Sequence, residues 1–371
     1  MIDFRYHLVS LISVFLALAV GIALGAGPLK ETIGDTLTGQ VEQLREERSD
    51  MRAQLDQAGV TIAHHDAALE DLAPSLLDGV LTERRVAIIQ IDEVTSEALE
   101  AVTERLAQAG ATVSATVQVT DAWTDPAQRS YRQSLAGSVI DYLDPQPAAD
   151  AGTGTELAEA LVQGLTAGRP EDPDAITEEA SISLELLQEA GLIVTEEVTS
   201  PADAVVVLVG PTTAAPPAEV EGDTQTPEAA EAEDEQALAL IGAARQIVVA
   251  SQDRTEGAVL AGGEVVDPDL ISAIRGDESF AGRLSTVDSV HTLLGQLAVP
   301  LALGARIDGT VGHFGVGGGI TAAMPPRVVL EPLVRAPEPV DPAVEGEGQE
   351  GPDGTGTGAD QAEDGDGGQE G

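Results

Sequence analysis

The sequence predicts an α/β protein set on a membrane anchor and a helical stalk, and three observations predict it. An uncharged apolar stretch opens the chain, a heptad run follows it, and beyond Arg84 short β-branched runs alternate with helical patterns. The expected organisation is a transmembrane anchor over 1–27, a coiled coil over 28–75, and a doubly wound, mostly parallel sheet domain over 84–335. A disordered insertion is expected at 211–235 and a disordered acidic tail at 336–371, since both are rich in acid, Gly, Pro or Thr and poor in large apolar residues.

No residue from Leu8 to Gly27 is charged. About 20 apolar residues of helix, rising 1.5 Å each, cross a hydrocarbon core about 30 Å thick. A cleaved export signal has a shorter apolar core and a small-residue cleavage site. Here Ala23-Leu24-Gly25 and Gly25-Ala26-Gly27 are poor sites, so the stretch reads as a retained anchor. Long domains cross a membrane regardless of local charge, which favours the N-terminus inside and the bulk of the chain outside the cytoplasmic membrane. Ser13, Ala17, Gly21 and Gly25 recur every four residues and share one face. Small residues at that spacing let two helices approach closely in lipid.

The heptad seam runs through Leu37, Val41, Leu44, Arg48, Met51 and Leu55, then Ala58, Ile62, His65, Leu69 and Leu72. Its steps alternate four and three, the a/d spacing of a coiled coil. Arg48 and His65 are polar intruders; such residues lower stability and fix register. Pro74 is expected to end the run because it cannot continue the helical hydrogen bonding. A small-residue face in the anchor and an apolar seam in the stalk both point to a parallel homo-oligomer, most simply a homodimer, with oligomerisation residues Ala17, Gly21, Gly25, Leu37, Leu44, Leu55 and Ile62. An antiparallel hairpin turning at Gly59 is the alternative.

RRVAIIQI, ATVSATVQV, ADAVVVLVG and RQIVVAS read as continuous β-branched runs rather than alternating ones, the pattern of strands buried on both faces. SEALEAVTERLAQAG, GTELAEALVQGLTAG, EEASISLELLQEAG and DEQALALIGAAR read as helices between them, and LSTVDSV as a strand leading into the helix HTLLGQLAVPLALGA. Ten-residue alternating strands of an outer-membrane barrel are not found.

Composition narrows the chemistry. With 64 acidic residues against 18 basic ones the formal net charge is −46, which repels phosphate backbones, so no nucleic-acid partner is expected. Without cysteine there are no disulfides, thiolate metal sites or cysteine nucleophiles. At 2% aromatic content the core must be built from Val, Leu, Ile and Ala. Ligands of open α/β sheets bind at the carboxyl ends of strands, which nominates Asp92 with Glu93, Pro211 with Thr212, and Ser251, Gln252 and Asp253. Each set is also ordinary N-cap or turn chemistry. GHFGVGGGIT, residues 312–321, is followed by Pro325 and Pro326, so no phosphate-binding helix opens there and a tight structural loop is expected. For a metal such as copper, the adjacent imidazoles His64 and His65 are the candidate ligands; in a dimer, opposing His65 rings would meet. No Ser/His/Asp or paired-carboxylate constellation stands out, and no enzymatic activity is expected.

The opening MIDFRYHLVSLISVFLALAVGIALG, followed by GPL, resembles the actinobacterial copper-transport family, the MctB-like proteins. STVDSV, GQLAVPLALG and GHFGVGGG are similar to further parts of that family's pattern, so the likeness covers residues 1 to about 325. The resemblance implies a cell-envelope protein of copper homeostasis, from a family described in mycobacteria as an outer-membrane channel limiting copper accumulation. No copper ligand carries over with it. One membrane helix and no barrel pattern fit an anchored oligomeric component beside a separate envelope pore or cell-wall partner. The alternative is an envelope scaffold with no direct metal handling.

Overall fold

The computed structural model describes residues 4–26, 28–196, 198–210, 227–266, 269–331, 333 and 335, with side chains described outside 24–38 and 227–234. The tail at 336–371 and the insertion residues 211–226 lie outside the described residues. Two helices come first. Helix α1 (Phe4–Ala26) contains the 20-residue apolar span Phe4–Ala23, none of it buried by the rest of the chain. Helix α2 (Pro28–Leu77) runs unbroken for 50 residues, about 75 Å at 1.5 Å per residue. Gly59 lies mid-helix, which rules out the hairpin. Nor does Pro74 stop the helix: it sits in the last turn, and Asp78 N–H still bonds the Pro74 carbonyl at 3.0 Å. Burial of Ala73 and Leu77 holds that turn in place.

The head is a three-layer α/β unit. In chain order come β1 (Arg85–Ile91), α3 (Ser96–Gln108), β2 (Thr112–Val119), α4 (Arg129–Val139), α5 (Thr153–Thr166) and α6 (Glu178–Glu189). Then follow β3 (Ile193–Thr195), β4 (Ala204–Val209), α7 (Pro227–Arg254), β5 (Ala258–Gly262), α8 (Leu270–Gly276) and α9 (Glu278–Ala281). The last elements are β6 (Ser285–Val287), α10 (Leu293–Ile307) and β7 (His313–Phe314). The described sheet has strand order β3-β2-β1-β4-β5-β6-β7, open at both edges, and only β3 runs antiparallel. From β1 the chain winds outward to β2 and then returns to the other side at β4, so the order switches between β1 and β4.

Alternate residues of β1 and β4 feed two separate cores, which is why these two runs are almost wholly apolar; β2, expected to be continuous, instead alternates polar residues with Val113, Ala115, Val117 and Val119. Ala87, Ile89, Val205 and Val207 pack with α4, α5, α6 and α7; Val86, Ile88, Val206 and Leu208 pack with α3, α10 and the end of α2. Leu69, Ala73 and Leu77 join the second core, and Glu70 forms a two-pronged ion pair with Arg105 of α3 at 2.7 and 3.0 Å. Arg327 donates to the carbonyls of Leu76 and Asp78. The stalk is thereby built into the head.

Two expectations are corrected here. RQIVVAS is not a strand but the last part of α7, whose buried Ala243, Ala244, Ile247, Val248 and Ser251 follow helical spacing. The strand expected there is β5, a five-residue run between Gly257 and Gly263. The helix α7 also begins at Pro227, inside the stretch expected to be disordered.

Candidate functional site

The carboxyl ends of β1 and β2 open into a cavity of about 720 Å³ lined by Asp92, Glu93, Thr95, Gln118, Thr120 and Asp121. Asp92 adopts a positive φ of 65°, which turns the chain out of β1. A Cβ on Gly210 would lie 2.6 Å from the Glu93 carbonyl oxygen, so only glycine lets β4 end this close to the turn. Thr95 caps α3 by accepting from Ala98 N–H at 3.3 Å, the ordinary N-cap role. Three carboxylates stand at the place where related α/β folds hold phosphate, so the electrostatics oppose an anion. Pro211 and Thr212 lie outside the described residues. Ser251, Gln252 and Asp253 are not at a strand end, because their segment is helical. Ser251 bonds the Ile247 carbonyl, Gln252 accepts from Ala258 N–H, and Asp253 pairs with Arg283.

A second polar centre lies buried between β6, β7 and α8. Asp288 has no exposed surface. Its Oδ1 accepts from the Ser289 hydroxyl and Val316 N–H, both at 2.8 Å, and from Gly317 N–H at 3.3 Å. Its Oδ2 accepts from Arg275 at 2.8 Å and from Gly317 N–H at 3.2 Å. Burial raises the Asp288 pKa, but the bonds from Val316, Arg275 and Ser289 and the Arg275 charge more than reverse this, leaving it below the ordinary carboxylate value. Arg275 also donates to the Thr286 hydroxyl and to the carbonyls of Phe314 and Gly318. Thr286 in turn meets His313 Nδ1 at 3.0 Å; burial and the Arg275 charge hold the His313 pKa below its usual value.

This centre gathers three stretches that are far apart in sequence: STVDSV supplies Asp288 and Ser289, GHFGVGGG supplies Val316 to Gly318, and GQLAVPLALG begins at Gly295. Gly295 packs so tightly on the Ser289 carbonyl that a Cβ would overlap it, and a Cβ on Gly315 would overlap the Asp288 carboxylate. The glycine-rich stretch is thus a structural loop, as expected, and its backbone N–H groups cradle a carboxylate of the chain itself. With every lone pair directed at a protein donor and no exposed surface, Asp288 is a lock rather than a ligand site. Arg275 was not legible in the sequence, since no local pattern links it to the loop 43 residues away.

Along α2 the situation is reversed. Val41, Leu44, Met51, Leu55 and Ile62 are 38–71% exposed, and Ala58 and His65 beside them are exposed as well. Ala17 and Gly21 are bare on α1; Gly25 and Leu37 lie in the helices where side chains are not described. His64 and His65 are exposed on α2, and among the described residues no group of three or more His, Cys, Asp or Glu could hold a metal ion. None of the ion pairs among the described residues involves Arg45, Arg48, Arg52 or Asp66.

Comparison with known proteins matches residues 1–325 to the family described as "Copper transport outer membrane protein, MctB". Relatives named "Copper transporter MctB" in Mycobacterium tuberculosis and Mycobacterium bovis are 29% identical over 346 residues, covering 86% of this chain and 98% of theirs. The relative of the same name in Mycobacterium leprae is 26% identical over 354 residues, covering 88% of this chain and 100% of its own. The matched residues include α1, the stalk helix α2 and all three stretches around Asp288. The chain belongs to the MctB family of copper transport outer membrane proteins.

Proposed function

We propose that the protein is a membrane-anchored envelope component of copper transport that works as a parallel homodimer. In this reading α1 lies in the bilayer, α2 pairs as a two-stranded coiled coil, and the head stands outside the cytoplasmic membrane. The observation that carries it is the unburied seam of α2, which follows a helix of lipid-spanning length in the chain. A seam from Val41 to Ile62 left in water forfeits the burial its spacing is suited to, and a second copy supplies it. The copper assignment rests on family membership and on the names of the mycobacterial relatives. Those names are of transporters, which supports a non-enzymatic role.

A component, rather than a self-contained pore, is favoured by the head. Its described strands are two to eight residues long and its sheet is open, whereas a strand crossing a bilayer takes about 9–11 residues in a closed barrel. Partners would be a separate envelope pore or a cell-wall element.

Two measurements test the reading. Deleting the gene should raise cellular copper under copper load, and sedimentation of the full chain in detergent should give a dimer. Unchanged copper with an intact dimer favours the second reading, an envelope scaffold that handles no metal. That reading is supported by the internally saturated Asp288 carboxylate and the lack of a metal-ligand cluster among the described residues of one chain.

A further inference from the structure

The heptad frame assigns a place to each polar intruder of α2. Val41, Arg48, Leu55, Ile62 and Leu69 take the a positions; Leu44, Met51, Ala58, His65 and Leu72 take d. Two chains anchored by α1 in one bilayer present these seams in parallel. In such a pair each a or d side chain enters a hole of four residues on the facing helix. For an a residue those are the neighbouring d residues with the g and a beside it; for a d residue they are the neighbouring a residues with the d and e beside it. Arg48 therefore sits against the partner's Glu47. His65 enters a hole made by the partner's Ile62, the partner's His65, the partner's Asp66 and the partner's Leu69.

Each intruder thus meets an acid on the facing helix, and Glu47 at g also lies across from the partner's Arg52 at e. Within one chain Arg48 and Arg52 have no acidic partner among the described residues. This charge complementarity commits the exposed face to a second, in-register copy. It also fixes what lies at the upper end of the seam. The layer at His65 contains two imidazoles and two carboxylates, one turn before Leu69 joins the core of the head.

We propose that His65 and Asp66 of the two chains together bind one divalent transition-metal ion per dimer. Two nitrogen and two oxygen ligands suit Zn²⁺ and, by the usual affinity order, Cu²⁺ more strongly. With no thiolate or thioether in the layer, the site disfavours Cu⁺. His64 lies at a c position, off the seam, and takes no part. Neither chain holds the ion alone, which is why one chain shows no ligand cluster. The ion clamps the two stalks where they enter the heads.

This inference rests on the dimer proposed above, and the experiment separates the two. Full-length protein in detergent carries a single cysteine as Leu55→Cys, whose oxidative cross-link reports the parallel, in-register pair without any metal. Zn²⁺ and Cu²⁺ are then titrated by calorimetry. The expected result is a cross-linked dimer that binds one ion per two chains at micromolar metal, a melting temperature that rises with Zn²⁺, loss of saturable binding in His65→Ala, weakened binding in Asp66→Asn, and unchanged binding in His64→Ala. Cross-linking without saturable binding overturns the metal site and leaves the dimer standing. Failure to cross-link, with a monomer in sedimentation, overturns both. Equal loss in His64→Ala and His65→Ala assigns the ion to a single chain and overturns the shared site.

Discussion

The head and the stalk treat their charged residues in opposite ways. In the head, Asp288 and Arg275 are buried, 0% and 2% exposed at the side chain, and each is satisfied by groups of the same chain. In the stalk, Arg48 and His65 are exposed and lie on the same face as the apolar residues that would surround them. A buried charge that is fully hydrogen-bonded marks a finished structure. A charge set in an exposed apolar face is what the proposed second copy would cover. The difference directs the search for function away from the most conspicuous polar cluster and toward the plainer helix.

That contrast can be broken most forcefully at Asp288. Asp288→Ala leaves Arg275 buried without its partner and should cost about 3–5 kcal/mol in urea denaturation, while the chain's oligomeric state stays unchanged. A cost within the usual range of a surface change would show that the centre is not a lock. Next in size is the stalk. Leu55→Glu combined with Ile62→Glu should convert the proposed dimer to a monomer in sedimentation, with head stability altered by no more than about 0.5 kcal/mol. A head that melts early in this variant would mean the seam is packed within one chain.

Acid sharpens the comparison. His313 has a pKa below its unfolded value, so its neutral form is the folded one. Its contribution is complete above the unfolded value of about 6.5 and is lost as pH falls below it. Asp288, also shifted down, contributes above about 3.9 and loses that contribution as pH falls through its lower folded value. Denaturation curves from pH 8 to 5 should therefore slope downward toward acid, and His313→Asn should flatten the slope. Smallest is the seam between the two regions: Glu70→Ala should lower stability by about 1 kcal/mol, since Glu70 is half exposed while Arg105 is buried. No change there would leave the attachment to the packing of Leu69, Ala73 and Leu77 and to the bonds from Arg327.

Much of the fold was legible because its strands are buried on both faces. The runs at β1 and β4 are almost wholly apolar, whereas β2 alternates Val113, Ala115, Val117 and Val119 with polar residues; the helices between them have clear spacing. The misreading at α7 has a specific cause. Ile247, Val248 and Val249 favour strand locally, but they continue a helical face begun at Ala243 and Ala244, and packing on the sheet decides the matter. The strand β5 was missed because five residues between glycines carry too short a pattern. The buried centre was half visible: its loop stood out by glycine content, but the reason for the glycines is a carboxylate 28 residues away. Sequence periodicity reports faces, and such long-range hydrogen bonds leave no periodic trace. The helix α2 and the face its apolar residues share were legible for the opposite reason, since helical spacing alone places each of them.

The unbroken α2 has a mechanical consequence. Its last turn is part of the core and its remainder is a single helix with no hinge, so the head rides on a mast whose height is set by residue count. Removing one heptad shortens it by about 10.5 Å and keeps the seam in phase; removing three or four residues shortens it and also turns the head to a new bearing. Whatever the head meets must therefore sit at a fixed elevation above the foot of that mast, and the chain would measure the gap it works across.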